Sequence, residues 1–420
     1  MTDKKFPRGF ATRVIHAAQH PEQWQGATQP PVYQAAAFRH ETAESLSGAF
    51  AGQGGNDIYT RLGNPTNRAL EEKLRLLEGG AGAIVTASGM AAVANACLAL
   101  LRSGDEFVAG RSLFMSTYSL FTGVFPKYGL TARLVDLADP AALAAAINRR
   151  TRFVFLETIG NPALDVPDIA KLAGLAHEHG LPLVVDNTLA TPFLCRPLEL
   201  GADVVIHSTT KYLSGHGGAP GGVIIDGGRF DWPADRFPDL RPLVEADCSR
   251  PPLLEKIWRE HHVNFGATQA PWHAYLTLIG LDTLAVRMER LLANAAAVAT
   301  FLQEQPAVAW VNYPGLADHP FHAVAAGQFQ GRGFGGLLTF GLKDEAACFA
   351  FINRLQLIYH LANLGDCKTL VIHPASTQYH SFAPEVRREL GIPAEMLRLS
   401  VGIEDAADIC EDIQQALEWK

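Results

Sequence analysis

Short apolar runs alternate with helical segments over the central part of the chain. The apolar runs predict strands at 82–86, 106–109, 131–135, 153–157, 183–186, 204–207 and 222–225. Amphipathic spacing predicts helices at 67–78, 140–148 and 166–179, beside or between these strands. Because the strands are apolar nearly throughout, the pattern indicates a mostly parallel α/β sheet with helices on both faces.

The pattern changes at both ends of this region. The first 65 residues have little periodicity, so we expect an irregular arm over 1–65 that packs on another part of the protein or on another subunit. Residues 229–259 are rich in Pro, Asp, Arg and Trp, which predicts a surface excursion. A long helix at 270–297 and further strands and helices then predict a smaller C-terminal α/β domain, with strands at 310–313, 336–342 and 396–401 and helices at 344–355 and 406–417. The predicted domains are therefore 66–265 and 266–420.

Composition narrows the class of protein. The 420 residues are 48% hydrophobic and 19% charged, with a formal net charge of −8, which is typical of a soluble globular protein with more than one domain. An acidic chain has no bulk attraction for phosphate backbones, so we expect neither nucleic acid nor an anionic membrane as a partner. Six scattered cysteines without a C-x-x-C motif favour reduced thiols in the cytoplasm. His261 and His262 lack a third ligand, so we expect surface histidines and no metal.

The uncharged stretch 79–101 is long enough to be considered as a membrane span. Its several glycines, with Ser88 and Asn95, are unsuited to a lipid-facing helix. We therefore predict a strand at 83–87, a turn at Ser88-Gly89-Met90 and a buried helix that ends at Leu101.

Candidate chemistry lies where predicted strands end. Lys211 follows one strand among hydroxyl side chains, and Asp186 ends another, facing either turn amides or a cationic ligand. Ser88-Gly89-Met90 opens a helix that could bind phosphate, although an ordinary N-cap explains it equally well. Arg398 interrupts an apolar strand, so it needs an anionic partner from either the protein or a substrate.

Five blocks in register resemble the Cys/Met-metabolism family of pyridoxal-phosphate (PLP) enzymes. They are Tyr59-Thr60-Arg61-Leu62-Gly63-Asn64-Pro65-Thr66, Ser88-Gly89-Met90, Val185-Asp186-Asn187-Thr188, Ser208-Thr209-Thr210-Lys211-Tyr212 and Arg398-Leu399-Ser400-Val401-Gly402-Ile403-Glu404. The similarity runs from about Thr12 to the C-terminus. It implies a fold-type I PLP-dependent transferase and the cofactor pyridoxal 5′-phosphate.

The resemblance also implies a role for each matching residue. Lys211 is expected to form the Schiff base and move protons, and Asp186 to pair with the pyridinium nitrogen. The expected phosphate contacts are Gly89, Met90, Ser208 and Thr210, with Tyr59 and Arg61 donated by the neighbouring subunit of a homotetramer built from dimers. Phe114 is expected to stack on the ring, Asn161 to bind the phenolic oxygen, and Asn363 and Arg398 to bind substrate.

Three further stretches resemble the O-acetylhomoserine sulfhydrylases most among the members of the family: Phe230-Asp231-Trp232, Asn312-Tyr313-Pro314-Gly315-Leu316 and Leu361-Ala362-Asn363-Leu364-Gly365-Asp366. That similarity implies γ-replacement on an O-acylhomoserine, most simply O-acetylhomoserine, with sulfide or a small thiol, giving homocysteine or methionine. Three places depart from the usual pattern of this group: Phe114, Gln378-Tyr379 and 244–259. These departures leave the identity of the acyl group and of the sulfur donor open. The alternatives are an O-succinylhomoserine sulfhydrylase or cystathionine γ-synthase, a γ-lyase acting on methionine or cystathionine, and a non-catalytic regulator.

Overall fold

The computed structural model describes residues 9–53, 57–246 and 248–418. Residues 1–8 and 54–56 of the predicted arm lie outside these ranges. The remainder of the arm carries two helices and leads into a third: α1 Phe10–His16, α2 Ala43–Phe50 and α3 Pro65–Glu78.

A seven-stranded sheet forms the centre of the larger half. Its strands are β1 Gly82–Thr86, β2 Glu106–Gly110, β3 Thr131–Val135, β4 Thr151–Glu157, β5 Leu183–Asp186, β6 Val204–His207 and β7 Gly222–Asp226. Their order across the sheet is β1-β7-β6-β5-β4-β2-β3. Only β7 runs against the others, because it pairs antiparallel with both of its neighbours. The predicted, mostly parallel sheet is therefore present.

Alternate side chains of each strand enter two different cores. Val154, Val185 and Val205 pack on one face, whereas Phe155 and Val184 pack on the other. A strand covered on both faces has no solvent side to mark with polar residues. This burial explains the near-continuous apolar runs in the sequence.

Helices flank the sheet and continue into the second half. The flanking helices are α4 Gly89–Leu100, α5 Met115–Ser119, α6 Pro140–Ala146, α7 Ile169–Glu178 and α8 Thr191–Leu194. They are followed by α9 Arg241–Glu245, α10 Pro252–Lys256, α11 Val263–Phe265, α12 Pro271–Asp282 and α13 Leu284–Gln303. The stretch considered as a membrane span divides into β1 and α4, as predicted. Within the described ranges, no helix combines the length and apolar character that crossing a membrane requires.

A second, five-stranded sheet forms the smaller half. Its strands are β8 Trp310–Asn312, β9 Leu337–Gly341, β10 Tyr359–His360, β11 Leu370–Ile372 and β12 Met396–Ser400, in the order β10-β11-β12-β9-β8. Its helices are α14 His322–Gln328, α15 Glu345–Ile352, α16 Pro384–Glu389 and α17 Ala406–Leu417. The pairings are antiparallel except for β10 with β11.

Three local expectations were wrong. The predicted helix 270–297 is interrupted at Thr283, where Arg287 bonds the carbonyl of Gly280 at 2.7 Å and the Thr283 hydroxyl at 3.1 Å. The segment 229–259 is not a surface excursion, because Trp232 and several other apolar residues in it enter the core beside α4. His262, expected at the surface, is buried and lies 3.1 Å from the Thr268 hydroxyl.

Candidate active site

The carboxyl ends of β4, β5 and β6 meet at one edge of the large sheet, because the three strands are parallel neighbours. A cavity of about 320 Å³ opens at this edge. All but two of the residues predicted for the site line it, namely Gly89, Met90, Phe114, Asn161, Asp186, Ser208, Thr210, Lys211, Asn363 and Arg398. The last two come from the smaller half of the molecule, so the cavity lies between the two sheets.

The first turn of α4 forms one corner of the cavity. The Ser88 hydroxyl caps the helix by accepting a bond from the Ala91 amide at 3.1 Å. A Cβ on Gly89 would lie 2.6 Å from the Cβ of Ser208, so only glycine allows this close approach. Free amides at the start of a helix, beside the hydroxyls of Ser208 and Thr210, are suited to a phosphate.

Lys211 projects into the cavity from the segment after β6. Its Nζ donates a hydrogen bond to Asn363 Oδ1 at 2.7 Å. Burial, with a smaller contribution from the charge of Arg398, lowers the pKa of the lysine to about 8. A lysine with this pKa is partly neutral near physiological pH and can act as a nucleophile or a base.

Two carboxylates end adjacent strands on the same face of the sheet. Asp186 pairs in register with Glu157, and its Oδ1 accepts a bond from the Thr188 amide at 3.0 Å. Burial raises the pKa of Asp186, and burial together with the charge of Asp186 raises the pKa of Glu157 well above its usual range. A cation in the cavity would compensate the charge at Asp186.

Glu157 also fixes the backbone at Phe114, whose amide donates to Glu157 Oε1 at 2.6 Å. Glu157 was not among the predicted site residues, although it ends a predicted strand just as Asp186 does. That shared position was the available signal. Thr188 and Gln378 also line the cavity and were not among the predicted site residues.

Arg398 lies in the middle of β12 and is 2% exposed. Its guanidinium donates to Asn161 Oδ1 and Gln378 Oε1, each at 3.0 Å, and to the Asn363 carbonyl oxygen at 3.3 Å. All three acceptors are neutral, and no carboxylate in the described ranges forms an ion pair with it. Burial lowers its pKa to about 10. A buried cation without a counter-ion is suited to an anionic ligand.

Tyr59 and Arg61 are the two predicted residues that do not line this cavity. Tyr59 is 43% exposed, and the Arg61 guanidinium lies 5.6 Å from the centre of its ring. Arg61 also donates a hydrogen bond to the Val263 carbonyl at 2.5 Å. Both residues are therefore exposed and do not contribute to the cavity of their own chain.

The family model for the Cys/Met metabolism PLP-dependent enzymes matches residues 11–418. The chain belongs to this family. Its fold is accordingly that of the fold-type I PLP enzymes, and its cofactor is pyridoxal 5′-phosphate. The residues present fit that group, because a Cβ at Gly89 would fill the corner suited to phosphate and Asp186 offers a buried carboxylate to a cationic ring.

Individual relatives of this PLP enzyme have two different activities in their names. It is 40% identical over 411 residues to the L-methionine gamma-lyase of Pseudomonas putida, covering 98% of this chain and 97% of that protein. It is also 40% identical over 420 residues to O-acetyl-L-homoserine sulfhydrylase 1 of Thermus thermophilus, covering 97% and 99%.

A solved structure gives a third comparison for the PLP enzyme. The candidate O-acetylhomoserine (thiol)-lyase of Campylobacter jejuni aligns with a TM-score of 0.94 and 35% identity, over 98% of this chain and 100% of that one. That protein carries a pyridoxyl-lysine phosphate.

Proposed function

We propose that this PLP enzyme catalyses γ-replacement on an O-acylhomoserine, O-acetylhomoserine above all, with sulfide or a small thiol as the nucleophile. The reaction breaks the bond between the γ-carbon and the acyloxy oxygen and forms a bond from that carbon to sulfur. The acyl group leaves as a carboxylate, and the product is homocysteine or methionine. The observation that carries the proposal is the buried, uncompensated charge of Arg398 beside the lysine of a PLP cavity.

We propose that different residues of the cavity bind different parts of the cofactor. Asp186 accepts a hydrogen bond from the ring nitrogen, Asn161 binds the phenolic oxygen and Phe114 packs on the ring. The amides of Gly89 and Met90 hold the phosphate, together with the hydroxyls of Ser208 and Thr210. PLP, when bound, withdraws electrons from the α-carbon of an attached amino acid.

In this proposal Lys211 performs the proton transfers. Its Nζ takes the proton from the α-carbon of the substrate, helps to remove one from the β-carbon and returns protons after sulfur has added. The lowered pKa of Lys211 supports this role, because a base must be unprotonated before it accepts a proton. Asn363 keeps the Nζ near the substrate through the 2.7 Å contact with its Oδ1.

Arg398 holds the α-carboxylate of the substrate in the proposed complex. Its guanidinium offers parallel N–H groups that match a carboxylate, and burial removes competing water. The neutral oxygens that it now contacts can remain as neighbours, since none of them neutralises its charge.

Product identification tests the proposal. Purified holoenzyme is incubated with O-acetylhomoserine and with O-succinylhomoserine, each with and without sulfide. Homocysteine that forms only with sulfide is expected, with the acetyl ester the better substrate. An absence of any sulfur-containing product from both esters would reject γ-replacement.

A γ-lyase is the second candidate, and the 40% identity to a methionine gamma-lyase over 98% of the chain favours it. A lyase releases an α-keto acid and ammonia from methionine without an added thiol. Measuring keto acid in a parallel incubation with methionine and no added thiol separates the two activities.

We also propose the organisation of the whole enzyme. Residues 66–265 bind the cofactor, 266–420 supply the substrate carboxylate anchor, and the arm 1–65 carries Tyr59 and Arg61 to the phosphate of a neighbouring subunit in a homotetramer built from dimers. The outward position of Tyr59 and Arg61 supports this arrangement. The six free cysteines support a cytoplasmic location.

A further inference from the structure

A buried polar network lies behind the cofactor cavity, on the opposite face of the sheet. Glu78, the last residue of α3, and His207 of β6 are both 0% exposed, and their Oε1 and Nε2 atoms lie 2.6 Å apart. Asn187 Nδ2 donates to the same Glu78 oxygen at 3.0 Å. The Thr158 hydroxyl donates to Asn187 Oδ1 at 2.8 Å.

Members of this network are the chain neighbours of cavity residues. Thr158 follows Glu157, Asn187 follows Asp186, and His207 precedes Ser208. Since successive side chains of a strand point to opposite faces, each cavity residue and its neighbour share a short piece of backbone. Restraining the neighbour therefore restrains the direction of the cavity side chain.

Backbone hydrogen bonds join the same strand ends. The Thr158 amide donates to the Asp186 carbonyl at 2.9 Å, and the Asn187 amide donates to the Ile206 carbonyl at 2.8 Å. Asn187 Nδ2 also donates to the Cys195 carbonyl at 2.9 Å. The Asp186 carbonyl and the Asn187 amide are the two ends of one peptide unit, so the peptide that follows Asp186 is tied to the network.

Taken by itself, this network lowers the stability of the folded protein. Glu78 Oε2 and His207 Nδ1 are buried and have no hydrogen-bond partner in the described part of the chain. An unmade hydrogen bond at a buried polar atom opposes folding. The 2.6 Å contact between Glu78 Oε1 and His207 Nε2 offsets part of this cost.

A charge on His207 acts on the cofactor side of the sheet. It lowers the pKa of Asp186, against the larger, raising effect of burial and alongside the hydrogen bonds from Thr188. An ionised Asp186 binds a protonated ring nitrogen, whereas a protonated one does not.

We propose that Glu78, Asn187 and His207 form a positioning network that keeps Asp186 oriented and ionised toward the ring nitrogen of PLP. The inference rests on the proposed role of Asp186. None of the three lines the cavity, and they act through the backbone and charge of Asp186.

The test uses Glu78→Gln and His207→Gln, which remove charge while keeping polar side chains of similar size. We expect the affinity of the apoenzyme for PLP to fall roughly tenfold. Removing a residue that hydrogen-bonds a metal ligand weakens metal binding by a similar factor. We also expect the pH titration of the visible absorbance of bound PLP to shift. The matched control is His177→Gln, because His177 contacts Asp203 at 2.8 Å at the opposite end of the strands. It should leave both measurements unchanged.

Asp186→Asn separates the possible failures. If Asp186→Asn changes neither PLP affinity nor the titration, the proposed role of Asp186 is wrong. If it changes both while the network variants behave like His177→Gln, the network is only structural and the inference is overturned. Thr158→Val removes one hydrogen bond of the network with little change of shape. Where a charge-changing variant does not fold, PLP affinity and the absorbance titration are measured on this variant instead.

Discussion

At the scale of single residues, Arg398 is the group whose surroundings most clearly require a ligand. It is a buried cation whose partners in the described chain are neutral oxygens. The proposed function therefore depends on a charged interaction between Arg398 and a ligand. The stability of the fold does not depend on that interaction.

Replacing Arg398 with glutamine should separate these two properties. The variant keeps a polar side chain against Asn161 and Gln378 but removes the charge. We expect KM for the amino-acid substrate to rise roughly a hundredfold, the loss typical of one partner of a buried charged pair. The melting temperature should stay the same or rise, because a desolvated charge is gone. Steady-state kinetics and thermal unfolding measure the two effects, and an unchanged KM would contradict the assigned role.

Lys211 should give the capture of PLP a characteristic pH dependence. Only the neutral amine attacks an aldehyde, and the pKa of Lys211 is lowered to about 8. The rate at which apoenzyme and PLP develop visible absorbance should therefore increase with pH and level off above about pH 8. Stopped-flow absorbance between acidic and alkaline buffers measures it. Lys211→Ala should develop no such absorbance, and a pH-independent rate in the unaltered enzyme would argue against this lysine.

At the scale of elements, the start of α4 depends on a close approach that tolerates no side chain. Gly89→Ala places a Cβ 2.6 Å from the Cβ of Ser208, so the helix start or the segment after β6 must move. We expect weaker PLP binding, by roughly tenfold or more if a single phosphate hydrogen bond is lost. Equilibrium titration of the apoenzyme with PLP measures the change.

Gly174→Ala is the matched control for that substitution. Gly174 lies within α7, where an added Cβ would meet no atom within 4 Å. Alanine in a helix is favoured over glycine by about 0.5–1 kcal/mol. The control should therefore be slightly more stable and bind PLP normally. Equal PLP affinities in the two variants would contradict the importance of the close approach.

The sequence alone predicts an element correctly where a single local pattern, such as a continuous apolar run, determines that element. Strands of the large sheet are apolar because both faces are covered, and carboxylates such as Asp186 mark their carboxyl ends. The break at Thr283 could not be read in this way, because Arg287 creates it through contacts made only in the folded chain. The burial of Trp232 likewise depends on a surface that other elements supply. The contact between Gln378 and Arg398 likewise exists only in the folded chain.

At the scale of the whole molecule, the proposed exchange of arms makes each active site a property of two chains. Mixing subunits tests it directly. Arg61→Ala damages the site of the neighbouring chain, whereas Lys211→Ala damages the site of its own chain. A hybrid of the two variants should then contain one intact site, and random mixing within dimers should restore about a quarter of the activity of the unaltered enzyme. Activity after denaturing and refolding the variants together measures it. No recovery in verified hybrids would place Arg61 elsewhere.

The stability of the fold should also depend on a carboxyl group far from the active site. Burial raises the pKa of Asp226 to about 7, and Asp203 adds a smaller repulsion. The folded state thus holds this proton more tightly than the unfolded chain, so stability falls as pH rises from about 4 to about 7. Asp226→Asn should remove this loss and raise the melting temperature relative to the unaltered protein at pH 8. Thermal unfolding at pH 5 and pH 8 tests it, and an equal difference at both would contradict the titration.

Asn363 connects the two halves of the molecule at the centre of the reaction. Its side chain contacts Lys211 near the large sheet, and its carbonyl oxygen contacts Arg398 in the small one. Asn363 thus links the proposed base to the proposed carboxylate anchor through two hydrogen bonds. Under these proposed roles, a β-amino acid has one carbon too many between its amine and its carboxylate to reach both groups. We therefore expect α-amino acids to bind more tightly than their β-amino counterparts.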